Sequence, residues 1–281
     1  MKVQVAFQGV RGAYSEAALL RHFGADAQPV GFAFSEQVFD AVESGRADAG
    51  FVPVENSIAG PVGVNTDLLL ERKVFAVAEA YLSIDHCLLG RPGDRLEEVT
   101  AVYSHPIALA QCRDFLNARK FRAVPEYDTA GAAEIVAQRG LPGEAAIASK
   151  LCAEVYGLEV LAEGIQSARD NYTRFLAFRR ENDVPAGLKT EKTSLASSVH
   201  HHPGALLECL KLFADHAINL TKLESRPIPS NPFEYSFFVD FLGGTDDAAV
   251  KAALSELRAA ARAVKVLGSY PLAERPQPAS K

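Results

Sequence analysis

Apolar and polar positions follow two different patterns along the chain, and the first covers residues 1–180. Short apolar runs such as 3–7 alternate with amphipathic segments such as 35–44, whose apolar face carries Val38, Phe39 and Val42. The other predicted strands are 49–54, 74–84, 99–103, 145–148 and 158–161, and the other predicted helices are 14–23, 64–71, 106–117, 149–156 and one opening at 127–133. This alternation predicts an α/β fold with mostly parallel sheets, arranged as two lobes with a cleft between them.

The second pattern begins after residues 181–192, a polar segment with Pro and Gly that predicts a linker. Beyond it, the order strand, helix, strand, strand, helix, strand is predicted at 193–199, 204–216, 218–223, 234–242, 248–261 and 264–270. This βαββαβ order indicates a small α+β domain with an antiparallel sheet. The predicted organisation is lobe one at about 1–75 and 167–180, lobe two at about 76–166, the α+β domain at 193–273 and a Pro-rich flexible tail at 274–281.

Composition narrows the classes of function. The 281 residues carry a net charge of −6 and no basic stretch, which argues against nucleic acid as a partner. Apolar runs all fall short of the roughly 18 residues needed to span a bilayer, so no membrane association is predicted. The N-terminus runs directly into strand-like residues without the pattern of a signal peptide, and we therefore expect a cytoplasmic protein.

The metal-binding residue types are scattered in the sequence. Cys87, Cys112, Cys152 and Cys209 form no CxxC pair, so small, reduced, buried thiols are expected rather than a zinc site. The histidine run 200–202 cannot converge on one metal from a regular element. We therefore predict no metal.

A glycine turn joins the first predicted strand to the first helix. Gly9 and Gly12 lie in the turn, and Ser15 lies in the first turn of the helix. Free backbone N–H groups and the helix dipole at such a position suit an anionic ligand. The spacing matches neither the dinucleotide GxGxxG nor a P-loop, so no nucleotide is implied. A tight turn that needs glycine for its backbone angles explains the same pattern, and both interpretations stay open here.

Polar residues also follow two later apolar strands. Glu55, Asn56 and Ser57 come at the carboxyl end of a strand, where open α/β sheets bind ligands, although Asn and Ser there also bond their own backbone in simple turns. Ser104 precedes Pro106 as a predicted helix N-cap, and Gln111 lies two turns further on the same side. A lone helix glutamine is usually a solvated surface residue.

The stretch Asn171-Tyr172-Thr173-Arg174-Phe175 brings polar groups to the start of a further apolar run. Sites tend to be built where rigid elements end. A threonine that opens a strand is also common simply because it favours β-structure. The five residues alone therefore do not decide between a site and a strand start.

Seven motifs in this order resemble prephenate dehydratase followed by an ACT regulatory domain, over nearly the whole chain. They are Phe7-Gln8-Gly9-x-x-Gly12-Ala13-Tyr14-Ser15, Pro53-Val54-Glu55-Asn56-Ser57, Ser104-His105-Pro106, Asp128-Thr129-Ala130-Gly131-Ala132-Ala133, Thr173-Arg174-Phe175, Gly204-Ala205-Leu206-Leu207 and Glu224-Ser225-Arg226-Pro227. The resemblance implies two α/β lobes like a type II periplasmic binding protein, with a ferredoxin-like ACT domain. It implies the dehydration and decarboxylation of prephenate to phenylpyruvate without a cofactor. It also implies feedback inhibition by phenylalanine bound at a subunit interface, and hence a homodimer or homotetramer.

The resemblance also implies roles for individual residues. Thr173 matches the family's proposed general acid, and the rest of the implied catalytic set is Glu55, Asn56, Ser104 and Gln111. The implied substrate-binding residues are Gly9, Gly12, Ser15, Thr129, Ala130, Asn171 and Arg174. The implied effector-binding residues are Gly204, Ala205, Leu206, Asn219, Leu220, Glu224, Ser225 and Arg226. Leu207 stands where many members carry Val, a conservative departure.

The residue types fit this chemistry. Prephenate carries two carboxylates, so its site needs N–H groups and neutral or cationic donors. A threonine hydroxyl is too weak an acid for ordinary proton transfer, so we expect Thr173 to act as a hydrogen-bond donor in a dry cleft, relayed by Ser104 or Gln111. Arg174 is expected either to aid carboxylate binding or to form a structural ion pair. Two other functions stay open: dehydration of arogenate, and a non-catalytic amino-acid sensor.

Overall fold

The computed structural model describes residues 2–168, 170–228 and 231–274. Its strands are β1 Val3–Gln8, β2 Ala27–Phe32, β3 Ala49–Asn56, β4 Gly60–Pro61, β5 Val74–Ser83, β6 Cys87–Gly90, β7 Ala101–Ser104, β8 Arg122–Pro125, β9 Glu144–Ala148, β10 Glu159–Ala162, β11 Tyr172–Arg180, β12 Lys192–Ser198, β13 Leu220–Ile228, β14 Asn231–Leu242 and β15 Ala263–Tyr270. Its α-helices are α1 Tyr14–Phe23, α2 Ser35–Glu43, α3 Gly63–Glu71, α4 Pro106–Gln111, α5 Arg113–Arg119, α6 Thr129–Arg139, α7 Lys150–Tyr156, α8 Ala205–Asp215 and α9 Ala248–Ala260.

Contacts group the chain into two compact units. One unit contains the chain up to Val62 together with Ala80–Phe175, and the other contains Gly63–Glu79 and Leu176–Glu274. Strands β5 and β11 each contribute one part to each unit. These units differ from the predicted division, since α3 groups with the C-terminal part of the chain and both predicted lobes fall largely in the first unit.

The first unit contains two sheets. In one, β1 pairs in parallel with both β2 and β3, and β11 lies next to β3. The other has the order β10-β6-β9-β7-β8, with β7 parallel to β8 and β9, and with β6 antiparallel to β9 and β10. The α/β prediction is confirmed: β1, β2 and β3 pair in parallel, as do β7, β8 and β9, while β4 pairs antiparallel with β3 and β6 pairs antiparallel with β9 and β10.

Ring stacking and small helix residues fill the cores of this unit. Phe51 of β3 stacks on Phe175 of β11 with ring centroids 5.0 Å apart, which joins the two strands that end in the polar motifs. Helix α6 presents Ala130, Ala132 and Ala133 to its core, all fully buried. Small side chains let the helix backbone lie close to the strands, so the end of α6 is held at a fixed height above the sheet.

The second unit is built on the antiparallel order β13-β14-β12-β15, as predicted for the α+β domain. Helices α8 and α9 pack on one face through residues such as Phe213 and Leu254. Strand β15 also pairs with β5 at Gly268 and Ala76, where a Cβ on Gly268 would lie 2.4 Å from the Ala76 Cβ. Lys192 and Glu79 form a buried ion pair of 2.7 Å between their Nζ and Oε2 atoms.

Several predicted boundaries are wrong for local reasons. Lys192 opens β12, so the linker ends earlier than predicted. The predicted helix 106–117 is two helices, α4 and α5, and His105 rather than Ser104 is the N-cap, its Nδ1 accepting from the Ile107 N–H at 3.3 Å. Strand β13 runs on through Pro227, which is tolerated because β13 lies at the edge of its sheet. Strand β2, which contains Pro29 and Gly31, was not predicted.

The part of the chain that the structure describes contains no helix long and apolar enough to cross a membrane. All four cysteines are buried and free, as predicted. Burial raises the pKa of the Cys87 thiol to about 11 and those of Cys112 and Cys152 to about 12, so these thiols stay protonated near neutral pH. The predicted tail lies, apart from Glu274, outside the described residues.

Candidate active site

The ends of β3 and β11 bring Asn56 and Thr173 into direct contact. Asn56 Nδ2 donates to Thr173 Oγ1 at 3.0 Å, to Asn171 Oδ1 at 2.8 Å and to the Tyr172 carbonyl at 3.2 Å. Ser57 joins the same strands, because its N–H donates to the Tyr172 carbonyl and its Oγ accepts from the Tyr172 N–H. The two motifs predicted from sequence therefore lie together, with Asn171 and Thr173 buried and Asn56 and Ser57 nearer the surface.

Thr173 accepts a hydrogen bond through its oxygen and keeps its own hydrogen. Its side chain is only 9% exposed, in a part of the unit from which water is largely excluded. A hydroxyl that accepts from an amide N–H can still donate one hydrogen bond of its own. The Thr173 hydroxyl therefore retains a hydrogen that it can donate.

The contact chain continues from Asn171 to a histidine. Asn171 is fully buried, and its Nδ2 donates to Gln111 Oε1 at 3.1 Å. The same oxygen is 2.8 Å from His86 Nε2, and His86 Nδ1 is 2.8 Å from the Tyr14 hydroxyl. Sequence reasoning missed His86, because an isolated histidine at the start of a short strand carries no distinguishing pattern.

A cavity of about 460 Å³ borders this network. Ile58 and Ala59, which follow Ser57, and Ile107 and Ala110 of α4 supply apolar walls. The polar groups of the lining include Gln111, Arg113 and Asp114. An apolar cavity with a few convergent polar groups is the usual form of a small-molecule site. The size and lining suit a compact ring with polar substituents.

Ser104 does not join the network. Its side chain is fully buried and its Oγ donates to the Ile147 carbonyl at 2.6 Å. That contact uses the hydroxyl hydrogen in holding β7 to the neighbouring chain segment, so the predicted relay through Ser104 has no geometric support here. The alternative relay residue, Gln111, lies in the network itself.

Strand alternation separates two other predicted residues from the site. Successive side chains point to opposite faces of a strand, so Glu55 lies on the other face of β3 from Asn56 and Arg174 lies on the other face of β11 from Thr173. Arg174 is buried, 6% exposed. The predicted contact of Arg174 with a carboxylate held beside Thr173 is not supported by this direction.

The glycine turn is filled from within the chain. The Gly9 N–H donates to the Phe32 carbonyl at 2.9 Å, and the Gly12 N–H donates to Glu16 Oε2 at 2.5 Å. A Cβ on Gly12, whose φ is +86°, would lie 2.7 Å from Cys152 Sγ. The structural interpretation of the turn therefore explains both glycines, and neither amide is available to an anion in this arrangement.

The N-terminus of α6 is also occupied. Asp128 is its N-cap, with Oδ1 accepting from the Gly131 N–H at 2.6 Å, and Ala130 is fully buried. A carboxylate already satisfies the positive end of this helix. No contact that the structure describes for Ser15 or Thr129 brings either residue to Thr173.

The predicted effector residues fall on both faces of the second unit's sheet. Residues 199–207, including Gly204, Ala205 and Leu206, line a cavity of about 610 Å³ at the start of α8. Arg226 and Glu224 lie on the opposite face from Ser225, and the Arg226 guanidinium forms a bidentate contact with the Asp67 carboxylate of α3. Of the remaining two, Leu220 packs on the core and the Asn219 carbonyl accepts from the Leu242 N–H.

Burial shifts the pKa values of His86 and Tyr14, the last two residues of this contact chain. Desolvation lowers the pKa of His86 from its ordinary value, and desolvation raises the pKa of Tyr14 well above its ordinary value. Both groups are therefore neutral near pH 7. Among the described residues, no group of three or more His, Cys, Asp or Glu side chains is placed to hold a metal ion.

A partly buried amide–hydroxyl network beside a mixed cavity, in a chain that also carries a βαββαβ domain, is typical of an α/β enzyme with an accessory domain. Comparison with known families gives the class. The prephenate dehydratase family model matches residues 5–183, and the ACT domain model matches residues 193–259. The chain belongs to the prephenate dehydratase family and carries a C-terminal ACT domain; it is a dehydratase.

Individual relatives agree over most of the chain. It is 39% identical to arogenate dehydratase/prephenate dehydratase 1, chloroplastic, of Arabidopsis thaliana, covering 96% of this chain and 72% of the relative. It is 40% identical to the bifunctional chorismate mutase/prephenate dehydratase of Aquifex aeolicus, covering 97% of this chain and 74% of the relative.

Two solved structures resemble the fold closely. One is prephenate dehydratase in complex with L-Phe from Arthrobacter aurescens, with a TM-score of 0.88, 35% identity and coverage of 99% of this chain and 92% of that chain. The other is described as GqqA, a novel type of quorum quenching acylases, with a TM-score of 0.88, 35% identity and coverage of 96% and 98%. These two similar structures carry different named activities.

Proposed function

We propose that this chain converts prephenate to phenylpyruvate and that phenylalanine inhibits the reaction through the ACT domain. The observation that carries the first part is the hydrogen bond from Asn56 Nδ2 to Thr173 Oγ1 at 3.0 Å. It fixes the threonine oxygen as an acceptor within the protein and leaves its hydrogen for a ligand.

The reaction needs few groups. The bond from the ring carbon to its carboxylate breaks, its electron pair completes the aromatic ring, and the ring hydroxyl departs. With the proton that it takes up, the hydroxyl leaves as water, and the carboxylate leaves as carbon dioxide. A donor placed at the departing oxygen stabilises the charge that develops there. Thr173 supplies this hydrogen bond, and the proton comes ultimately from solvent.

Substrate binding needs positive charge as well as position. Prephenate is a dianion, and Arg113 is a cation among the residues that line the cavity. The Gln111 side chain lines the same cavity and is held by Asn171 and His86. We assign the cavity to the ring, with Arg113 nearest one carboxylate and Gln111 as a neutral donor.

Regulation is proposed from the accessory domain. The ACT match, the cavity at 199–207 and the L-Phe complex of a related dehydratase support phenylalanine as the effector. Inhibition requires that phenylalanine bind one of two states of the protein more tightly than the other. A site shared between subunits makes the active form a homodimer or homotetramer.

One assay separates the candidate substrates. Purified protein is given prephenate, and the formation of phenylpyruvate is measured with and without added phenylalanine. In a second reaction it is given arogenate, and the formation of phenylalanine is measured with and without an added phenylalanine analogue. We expect higher kcat/KM with prephenate and a lower rate when effector is present. Higher kcat/KM with arogenate would replace the proposed substrate, and turnover of neither would refute the proposed reaction.

A further inference from the structure

His86 is a buried histidine for which the reaction itself has no direct use. Its side chain is 2% exposed, and both ring nitrogens have partners: Tyr14 at Nδ1 and Gln111 at Nε2, each at 2.8 Å. The Tyr14 ring meets the imidazole edge-on, with an interplanar angle of 81°. A buried imidazole with two fixed partners is held in one orientation.

Backbone N–H groups determine the direction of every hydrogen bond that leads to this histidine. Asn56 Oδ1 accepts from the N–H groups of Ile58 at 3.0 Å and Ala59 at 2.8 Å. A backbone N–H can only donate, so the other end of the Asn56 carboxamide must be its NH₂ group. That group faces Asn171, whose Oδ1 must therefore be the acceptor.

The same reasoning assigns the donor and the acceptor in the contacts of Asn171, Gln111 and His86. Because Asn171 accepts at Oδ1, its Nδ2 faces Gln111 and must donate to Oε1 there. His86 meets the same Oε1 and must carry a hydrogen on Nε2. Neutral His86 is then unprotonated at Nδ1 and accepts from the Tyr14 hydroxyl at 2.8 Å. The Asp85 carbonyl lies 3.1 Å from the same hydroxyl, but Nδ1 has no hydrogen of its own in this form, so the single hydroxyl hydrogen is directed to the shorter contact with Nδ1.

These hydrogen-bond directions fix the orientation of the Gln111 carboxamide. Its Oε1 takes two hydrogen bonds from within the protein, and no described residue accepts from its Nε2. Gln111 lines the cavity beside the network. Without the side chain of His86 or Asn171, Oε1 loses one of the two hydrogen bonds that keep the carboxamide oxygen directed inward and its NH₂ group directed outward.

We propose that His86 and Tyr14 are positioning residues of the active site: Tyr14 holds His86 in its Nε2–H form, and His86 fixes the Gln111 carboxamide with its NH₂ group toward the substrate. This assignment rests on the proposed dehydratase site for its effect on turnover, whereas the tautomer of His86 is a property of the folded chain alone.

Turnover tests the proposal through a pair of variants. His86→Gln keeps an N–H donor at about the position of Nε2, and His86→Leu keeps similar bulk without a donor. We expect kcat/KM with prephenate to fall about 10²-fold in His86→Leu, the loss typical of one misplaced donor, and to recover to within about tenfold of wild type in His86→Gln. Tyr14→Phe is expected to cost about tenfold or less, as the loss of one neutral hydrogen bond.

His216→Gln is the matched control. His216 meets Glu256 at 3.0 Å on the surface of the second unit, so its loss is expected to leave kcat/KM within about twofold of wild type. Equal losses in His86→Gln and His86→Leu, or no loss in either, would overturn the positioning role.

A spectroscopic measurement keeps the test independent of activity and of the stability of the variants. Nitrogen-15 NMR of histidine-labelled wild-type protein at pH 7, assigned with His86→Gln, should show His86 as the neutral form protonated at Nε2. In Tyr14→Phe the same resonances should move toward a mixture of tautomers. An Nδ1–H tautomer or an imidazolium in the wild type would contradict the proposal even if prephenate were confirmed as the substrate. The expected tautomer with no turnover of prephenate would instead count against the proposed function.

Discussion

The two regions that we propose bind ligands are organised in opposite ways. Around Thr173, polar side chains from distant segments hold one another: Asn56, Asn171, Gln111 and His86 form one continuous set of partly buried hydrogen bonds. The predicted effector residues are instead distributed over two faces of a sheet, and Arg226 among them binds Asp67 within the same unit. The first region is preorganised within one chain, whereas the second is not gathered into one site by the chain alone.

The functions proposed for the two regions account for this difference. A group that acts on a departing hydroxyl must be placed to within a fraction of an ångström before the substrate arrives, and a satisfied buried network does that. An effector needs only different affinities for two states, so its residues can remain separate until the states are formed. Substitutions should therefore be severe and specific in the first region, and mild in the second.

The largest expected effect is that of Thr173→Val, which has nearly the same shape but no hydroxyl. We expect kcat to fall about 10²- to 10⁴-fold, the usual contribution of a positioned acid or donor. Thr173→Ser keeps the hydroxyl and should lose much less. Steady-state phenylpyruvate formation measures both, and equal rates for Thr173→Val and the wild type would remove Thr173 from the chemistry.

Asn56→Asp tests the direction of the hydrogen bonds rather than their presence. The carboxylate still accepts from the Ile58 and Ala59 N–H groups, but it offers an acceptor where Thr173 and Asn171 need a donor. We expect kcat/KM to fall about 10²-fold, with a small change in the thermal midpoint relative to that loss. A wild-type rate would show that the polarity of the network is unimportant.

Arg113→Gln separates charge from orientation in the same region. Loss of a hydrogen bond to a charged group costs about 1.5–3 kcal/mol, so KM for prephenate should rise about tenfold or more while kcat changes little. Arg119→Gln, which removes a cation stacked on Phe115 at the other end of α5, is the control. A fall in kcat without a change in KM would reassign Arg113 from binding to the chemical step.

The smallest effect is expected in the second region. Asp67→Asn breaks the ion pair with Arg226, whose pKa is raised by the hydrogen bond to Asp67. The pair is partly exposed, so its loss should cost about 1 kcal/mol or less of unfolding free energy. We expect unchanged basal turnover and a few-fold shift in the phenylalanine concentration that gives half inhibition, measured on the intact oligomer. A large loss of basal rate would place this pair among the catalytic supports.

The sequence predicted the elements and the motifs better than it predicted which atoms meet. Alternation of apolar runs was sufficient for the βαββαβ order, for the strand that ends at Asn56 and for the strand that begins beside Thr173. The pattern could not reveal that the Ser104 hydroxyl donates to the Ile147 carbonyl, because that hydrogen bond joins segments 43 residues apart. Nor could it reveal His86, whose role depends on a direction of hydrogen bonding set by the backbone at Ile58 and Ala59. The glycine turn shows the same limit, since only the packing of Cys152 and Glu16 decides that Gly12 is structural.

The most direct test of the central claim is a double-mutant cycle between Asn56 and Thr173. The claim is that Asn56 acts on the reaction by orienting the Thr173 hydroxyl, so the two residues work as one unit. The kcat/KM for prephenate is measured in Asn56→Asp, Thr173→Val and the double variant. The account predicts that the loss in the double variant is at least about tenfold smaller than the product of the two single losses, because part of the Asn56→Asp loss acts through Thr173 and the rest through Asn171 and Gln111. Losses that multiply would contradict it, because they would show that Asn56 and Thr173 contribute independently.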